Sequence, residues 1–128
     1  MNKNNGIERE IDIAHTLVEG GEKKLLSLLG FAARARALVC GTDLCRDEIR
    51  RGKLPLVIVA ADASANTKKR IGDACRYYGC DMCIAPTPSL ELSNRIGKSA
   101  NIAVVGVTDM NFVNGITALF KSESHSLD

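Results

Sequence analysis

Aromatic residues are scarce in this chain: two tyrosines, three phenylalanines and no tryptophan make up 4% of its 128 residues. So few rings are expected to go mostly into the core, which excludes a long row of stacking platforms for single-stranded bases. Histidine is equally sparse. His15 lies near the start and His125 in a polar tail, where a rigid acid–base geometry is hard to build, so both read as bystanders. The patterns GxSxG, HExxH and GxxxxGK[ST] do not occur, which removes the usual nucleophile-elbow, zinc-protease and phosphate-loop readings. The nearest echo, GKS at 97–99, has no earlier glycine.

Long apolar runs are missing too. The longest, LPLVIVAA at 54–61, is strand length, well short of the roughly 18 to 20 residues a membrane span needs. The opening MNKNNGIERE is polar and does not resemble a secretory leader. With an odd count of five cysteines, the chain reads as a cytoplasmic protein with reduced thiols. No cofactor, metal, membrane partner or small-molecule substrate is expected, nor enzymatic activity.

What is present fits one domain: 45% of residues are apolar, enough for a core that needs no disulfide or metal. The boundaries expected are an N-terminal extension over 1–21, ending at Gly20 and Gly21, a domain over 22–121, and a polar tail over 122–128. Within the extension Ile7, Ile11, Ala14 and Leu17 or Val18 fall at helical spacing. A helix is expected from Glu22, then a short strand ALVCG, a helix from Thr42 or Asp43 to about Arg51, and a strand in LPLVIVAA. SANTKKRIGDACRYYG reads as a helix with Thr67, Ile71, Ala74, Cys75 and Tyr78 inward. DMCIA and NIAVVGV read as strands, PSLELSNRIG as a short helix, and Phe112, Val113, Ile116, Leu119 and Phe120 mark the last helix. Strands alternating with helices imply an α/β fold, a three-layer α/β/α sandwich around a central, mostly parallel mixed sheet.

Cys80 and Cys83 form a CxxC pair. A redox pair of this kind works at a helix N-terminus, where the dipole lowers a thiol pKa, whereas this one precedes a strand, along which residues three apart face opposite ways. Core packing is the leading reading, with a metal site or redox pair as alternatives.

Charge is uneven although the net is only +2. From Arg34 to Lys53 there are six basic residues against three acidic ones, and from Asn66 to Arg76 four against Asp73. In the first stretch a turn at Gly41 leads into a helix whose side chain at Thr42 or Asp43 can cap it. Leu44, Cys45 and Ile49 share one side of this helix, with Arg46, Asp47, Arg50 and Arg51 facing away. A helix N-terminus carrying arginines suits a polyanion, structured RNA in particular, as well as an ordinary solvated surface.

The stretches LLGFAARARALVCG, EIRRGKLPLVIVAADASANTKKRI and IGKSANIAVVGVTD resemble the kink-turn-binding ribosomal protein family. Its archaeal large-subunit member is named L-seven-Ae, and the likeness is to its bacterial YlxQ type. It covers about Glu22 to Lys121. The resemblance implies the same α/β/α sandwich, no catalysis, and recognition of a kink-turn, a sharply bent RNA duplex. The family contact region, written roughly GTNEVTK, matches at Gly41 and Thr42. Its asparagine falls on Asp43, its glutamate on Leu44 and its guanine-reaching lysine on Asp47, a departure that puts a carboxylate toward phosphates. Arg46, Arg50 and Arg34 are the cations that stand nearby. A second contact loop corresponds to Gly97, Lys98 and Ser99. The expectation is a non-enzymatic RNA-binding protein linked to ribosomes or translation factors. The alternative is a protein-interaction module on the same scaffold.

Overall fold

A computed structural model describes residues 17–120. The stripe at Ile7, Ile11 and Ala14, both histidines, and the tail 122–128 lie outside the described residues. In chain order the elements are α1 (Gly21–Arg34), β1 (Leu38–Cys40), α2 (Thr42–Arg50), β2 (Leu56–Val59), α3 (Ala65–Tyr78), β3 (Asp81–Ile84), α4 (Ser89–Arg95), β4 (Val104–Val107) and α5 (Met110–Thr117). At the entrance, Leu17 forms an antiparallel bridge with Phe120, and the Val18 amide donates to the Leu119 carbonyl at 2.8 Å.

The four strands lie in the order β1-β4-β2-β3. Alternation along β2 sends Leu56 and Ile58 to one face and Val57 and Val59 to the other. Leu56 and Ile58 join Leu25, Leu29, Leu92, Val105 and Ile116 under α1, α4 and α5. Val57 and Val59 join Cys45, Ile49, Ile71 and Cys75 under α2 and α3. The three-layer sandwich is therefore as expected, and burying each such aliphatic side chain contributes about 1.5–3 kcal/mol.

The sheet is less parallel than the strand pattern suggests. Only β2 and β3 pair parallel; β4 runs antiparallel to both β1 and β2. An unbroken apolar run signals burial on both faces, and a central antiparallel strand between two helical layers meets the same condition. The pattern therefore carries no direction.

The aromatic rings depart further from expectation. Phe31, Tyr77 and Tyr78 are exposed, Tyr78 correcting its inward assignment, and Phe112 and Phe120 are only half-buried. Aliphatic side chains fill both cores, and the two tyrosines stack edge-on against each other past the last buried turn of α3. Cys80 belongs to one core and Cys83 to the other, so the sheet lies between them and CxxC serves packing on both sides.

Gly106 in β4 makes the crowding visible. A Cβ there would lie 2.5 Å from Leu54 Cδ1 and 2.9 Å from Cδ2. Leu54 is buried, so its side chain has little room to retreat. Gly106→Ala should lower stability by about 1–3 kcal/mol through overpacking, and Leu54→Ala by about 2–5 kcal/mol through a cavity. In urea unfolding the double variant should cost less than the two together; strict additivity would show that Leu54 does not fill the space over Gly106.

Candidate functional site

Since β1 and β2 are both antiparallel to β4 while β3 is parallel to β2, the first three strands run the same way. Helices α2, α3 and α4 consequently start at one end of the sheet. Two of these helix starts are satisfied from within. Ser64 Oγ accepts from the Thr67 amide at 3.1 Å at the start of α3. Asp62 Oδ1 accepts from the Ser89 amide at 2.9 Å at the start of α4. The start of α2 is bare.

The expected cap from Thr42 or Asp43 is not made. Gly41 itself occupies the cap position, at φ 106° and ψ 148°, a region essentially reserved for glycine. Its carbonyl accepts the first helical bond, from Cys45 at 3.0 Å, and among the described residues the Thr42, Asp43 and Leu44 amides have no partner. Nothing lies within 4 Å of where a Cβ on Gly41 would sit, so the turn opens outward. Asp43 turns to Arg70 of α3, 3.4 Å away. The positive end of the α2 dipole thus faces solvent with three unpaired donors.

Along the outer face of α2 each acid has a cation. Asp47 lies 3.8 Å from Arg50 and Glu48 3.4 Å from Arg51, so the carboxylate of Asp47 is partly neutralised and the face is not acidic. Arg46, half-buried, has no ion pair among the described residues. Leu44 is 59% exposed rather than packed beside Cys45 and Ile49. At the third position of the helix it projects past the edge of the core, while Cys45 and Ile49 point into it.

The second predicted segment comes to the same place. The Gly41 amide donates to the Val104 carbonyl at 2.9 Å, tying the turn to the end of the loop that holds Gly97, Lys98 and Ser99, all exposed. Gly97 turns the chain at φ 78°, and the Lys98 amide donates to the Ser93 carbonyl at 2.9 Å. The Lys98 charge is close enough to Cys40 to favour its thiolate, although burial is the larger effect and leaves that thiol raised. Arg34 is not brought to the turn. It ends α1, beyond the opposite end of β1, with its guanidinium 5.2 Å from the Phe31 ring centroid.

Ser93 is a positioning residue that sequence reasoning missed. Fully buried, its hydroxyl donates to the Ser89 carbonyl at 2.8 Å and accepts from the Ile102 amide at 2.6 Å, stapling the far side of the 97–101 loop to α4. A serine within SLELSNR gives no signal of this role. Ser93→Ala strands the Ile102 amide and should cost about 1–3 kcal/mol, read by denaturant unfolding together with faster hydrogen exchange at Ile102; an unchanged exchange rate would refute the staple.

The thiol chemistry is closed off here. Cys45 donates to the Val39 carbonyl at 3.2 Å, and burial, with Cys40 nearby, pushes its pKa from 9.0 up to about 12. Folding therefore favours the protonated thiol. Its contribution to stability is complete below pH 9 and is lost as pH rises from 9 toward 12. At neutral pH Cys45 should resist alkylation in the native protein and react at an ordinary rate once unfolded; native-state labelling as fast as the unfolded rate would contradict this. Among the described residues no group of His, Cys, Asp and Glu is arranged to hold a metal ion, and no helix is long and apolar enough to cross a membrane.

The sequence and the fold both have relatives among known proteins. Residues 23–115 match the model of the ribosomal protein L7Ae/L30e/S12e/Gadd45 family. A protein named RNA-binding protein YlxQ from Bacillus subtilis is 42% identical over 92 residues, covering 72% of this chain and 90% of that one. A protein of the same name from Enterococcus faecium is 38% identical over 94 residues, covering 73% and 88%. Among solved structures, a protein of unknown function from Bacillus halodurans is 38% identical with a TM-score of 0.69, covering 75% of this chain and 95% of that one. The fold is shared by a 15.5kD RNA binding protein of Giardia lamblia, at 23% identity and TM-score 0.69, covering 88% and 96%.

Proposed function

The chain belongs to the ribosomal protein L7Ae/L30e/S12e/Gadd45 family, and on that premise we propose that it is a non-enzymatic RNA-binding protein that recognises a kink-turn in association with ribosomes or translation. The bare start of α2 carries the reading. Three partnerless amides at a positive helix end, beside the Lys98 loop and next to Arg46, form a site for a folded polyanion. The neighbouring helix starts, by contrast, are filled by Ser64 and Asp62. The family match over residues 23–115 includes this region, and two relatives are named RNA-binding proteins.

In this reading the Gly41 turn approaches the bent backbone closely because no side chain stands between. Thr42 and Asp43 lie at the base edges, and Asp43 accepts from guanine N–H groups. Leu44 packs against a base or ribose, Arg46 supplies the cation that Asp47 does not, and Arg50 screens Asp47. Gly97, Lys98 and Ser99 close on the RNA from the other side. Leu44 also favours a second reading, a protein-interaction module, since an apolar side chain 59% exposed beside the bare turn suits a protein contact.

A kink-turn RNA should bind more tightly than a plain duplex of equal length in gel-shift titrations, and log Kd should rise linearly with log salt. Arg46→Ala should weaken binding and reduce that salt slope by about one. Equal weak binding to both RNAs, with tight binding appearing only in a Leu44→Glu, Asp47→Lys variant, would favour the protein module.

A further inference from the structure

Phe31 stands on the outer face of α1 with 53% of its surface in solvent, although aliphatic residues leave no shortage of core to join. The Arg34 guanidinium lies 5.2 Å from its ring centroid. On the adjoining face, a Cβ on Gly30 would sit 3.7 Å from Arg95 Cδ and 3.9 Å from Cγ. Arg95 therefore packs its backbone carbonyl and aliphatic stem on α1 at Gly30, the residue before Phe31, and the residue stays exposed. Two residues on, Gly97 turns the chain into Lys98, whose charge acts on Cys40 of the edge strand next to Gly41. Pairwise contacts thus link Phe31 to Arg34 and Gly30 to Arg95, and the chain from Arg95 leads through Lys98 toward the end of β1, a strand of three residues spanning about 10 Å.

Most cations on α2 and α3 have an acid partner, Arg46 and Lys68 excepted. Arg50, Arg51, Lys69, Arg70 and Arg76, on or at the end of α2 and α3, each face an acid within 4 Å. Among the described residues Arg34, Arg95 and Lys98 have no ion pair. The nearest acid in the chain to Arg95 is Glu91, exposed one turn back on α4, and it forms no ion pair with it. These cations are free to meet a polyanion. An exposed ring with a guanidinium 5.2 Å from its centroid, and a second arginine packed on the preceding residue Gly30, offers a π-face for a base and cations for the phosphates that flank it.

We propose that Phe31, with Arg34 and Arg95, forms a stacking subsite for an unpaired nucleotide of the RNA bound at the Gly41 turn. The subsite takes any base, since every base has a π-face, and it lengthens the footprint along β1 and α1 instead of along the neutralised face of α2. It rests on the RNA-binding reading above but uses residues which that docking does not need.

The chain has no tryptophan, so Phe31→Trp installs a sole indole that can be excited apart from Tyr77 and Tyr78. Its emission should be quenched by a kink-turn RNA and by single-stranded oligouridylate, both used as probes. Phe31→Ala should weaken binding of the kink-turn RNA about tenfold, while Phe31→Tyr stays within about twofold, as a stacking contact requires. Circular dichroism confirms that each variant is folded. Quenching by oligouridylate without tight kink-turn binding would support the subsite and reject kink-turn recognition. Tight kink-turn binding with unchanged indole emission and no loss in Phe31→Ala would overturn the subsite, leave the docking reading intact and assign Phe31 to a protein contact. Binding of neither RNA would overturn both.

Discussion

Everything at the candidate site depends on β4 entering the sheet between β1 and β2. Because it enters antiparallel, the loop that precedes it arrives at the end where β1 gives way to α2, and a single backbone bond, Gly41 N–H to Val104 C=O at 2.9 Å, locks the two together. The insertion requires a strand narrow enough to pass under Leu54, which Gly106 provides. A second bond, from the Ala60 amide to the Ala103 carbonyl at 2.8 Å, holds the same loop end against β2. The site is thus built on the most buried part of the molecule although its own atoms face water.

The two faces of the molecule spend their charges differently. On α2 and α3 most bases answer an acid at surface distances, pairs that add little stability each, though Lys69 and Arg76 share Asp73 and Arg46 and Lys68 have no ion pair among the described residues. Toward α1 and the loop after α4 the bases stand alone among the described residues. A polyanion approaching this protein therefore meets locally concentrated positive charge, even though the whole chain carries only +2. Asp47, which reads in the sequence as a repulsive intruder, is a member of the paired set.

Much of the fold was legible because apolar periodicity reports burial, and burial decides which segments are strands and helices. The order of the nine described elements follows from that pattern, as does the separation of Cys80 from Cys83. The limits are narrower: the last helix ends at Thr117, before Leu119 and Phe120, and the strands at Leu56–Val59 and Val104–Val107 are shorter than their apolar runs. Three things were not legible. The direction of β4 left no trace, since VVGV is equally apolar in either sense. The bare start of α2 was hidden because Thr42 and Asp43 are good capping residues by type; one residue of register and the pull of Arg70 on Asp43 decide otherwise. The exposure of Leu44 and Phe31 was missed because composition counts an apolar side chain as core whichever way its Cβ points. Ser93 is the opposite case, a polar residue fully buried by a loop that forms only in three dimensions.

The open side of β1 has one more effect. Unpaired strand edges invite a second chain to add on and propagate, yet this one is three residues long and is flanked by Arg34, Arg36 and Lys98. A copy of the same protein sliding into register would gain a few hydrogen bonds at most while pressing like charges together. Among the described residues β1 is an edge strand, and self-association along it is disfavoured without any proline or bulge to block it.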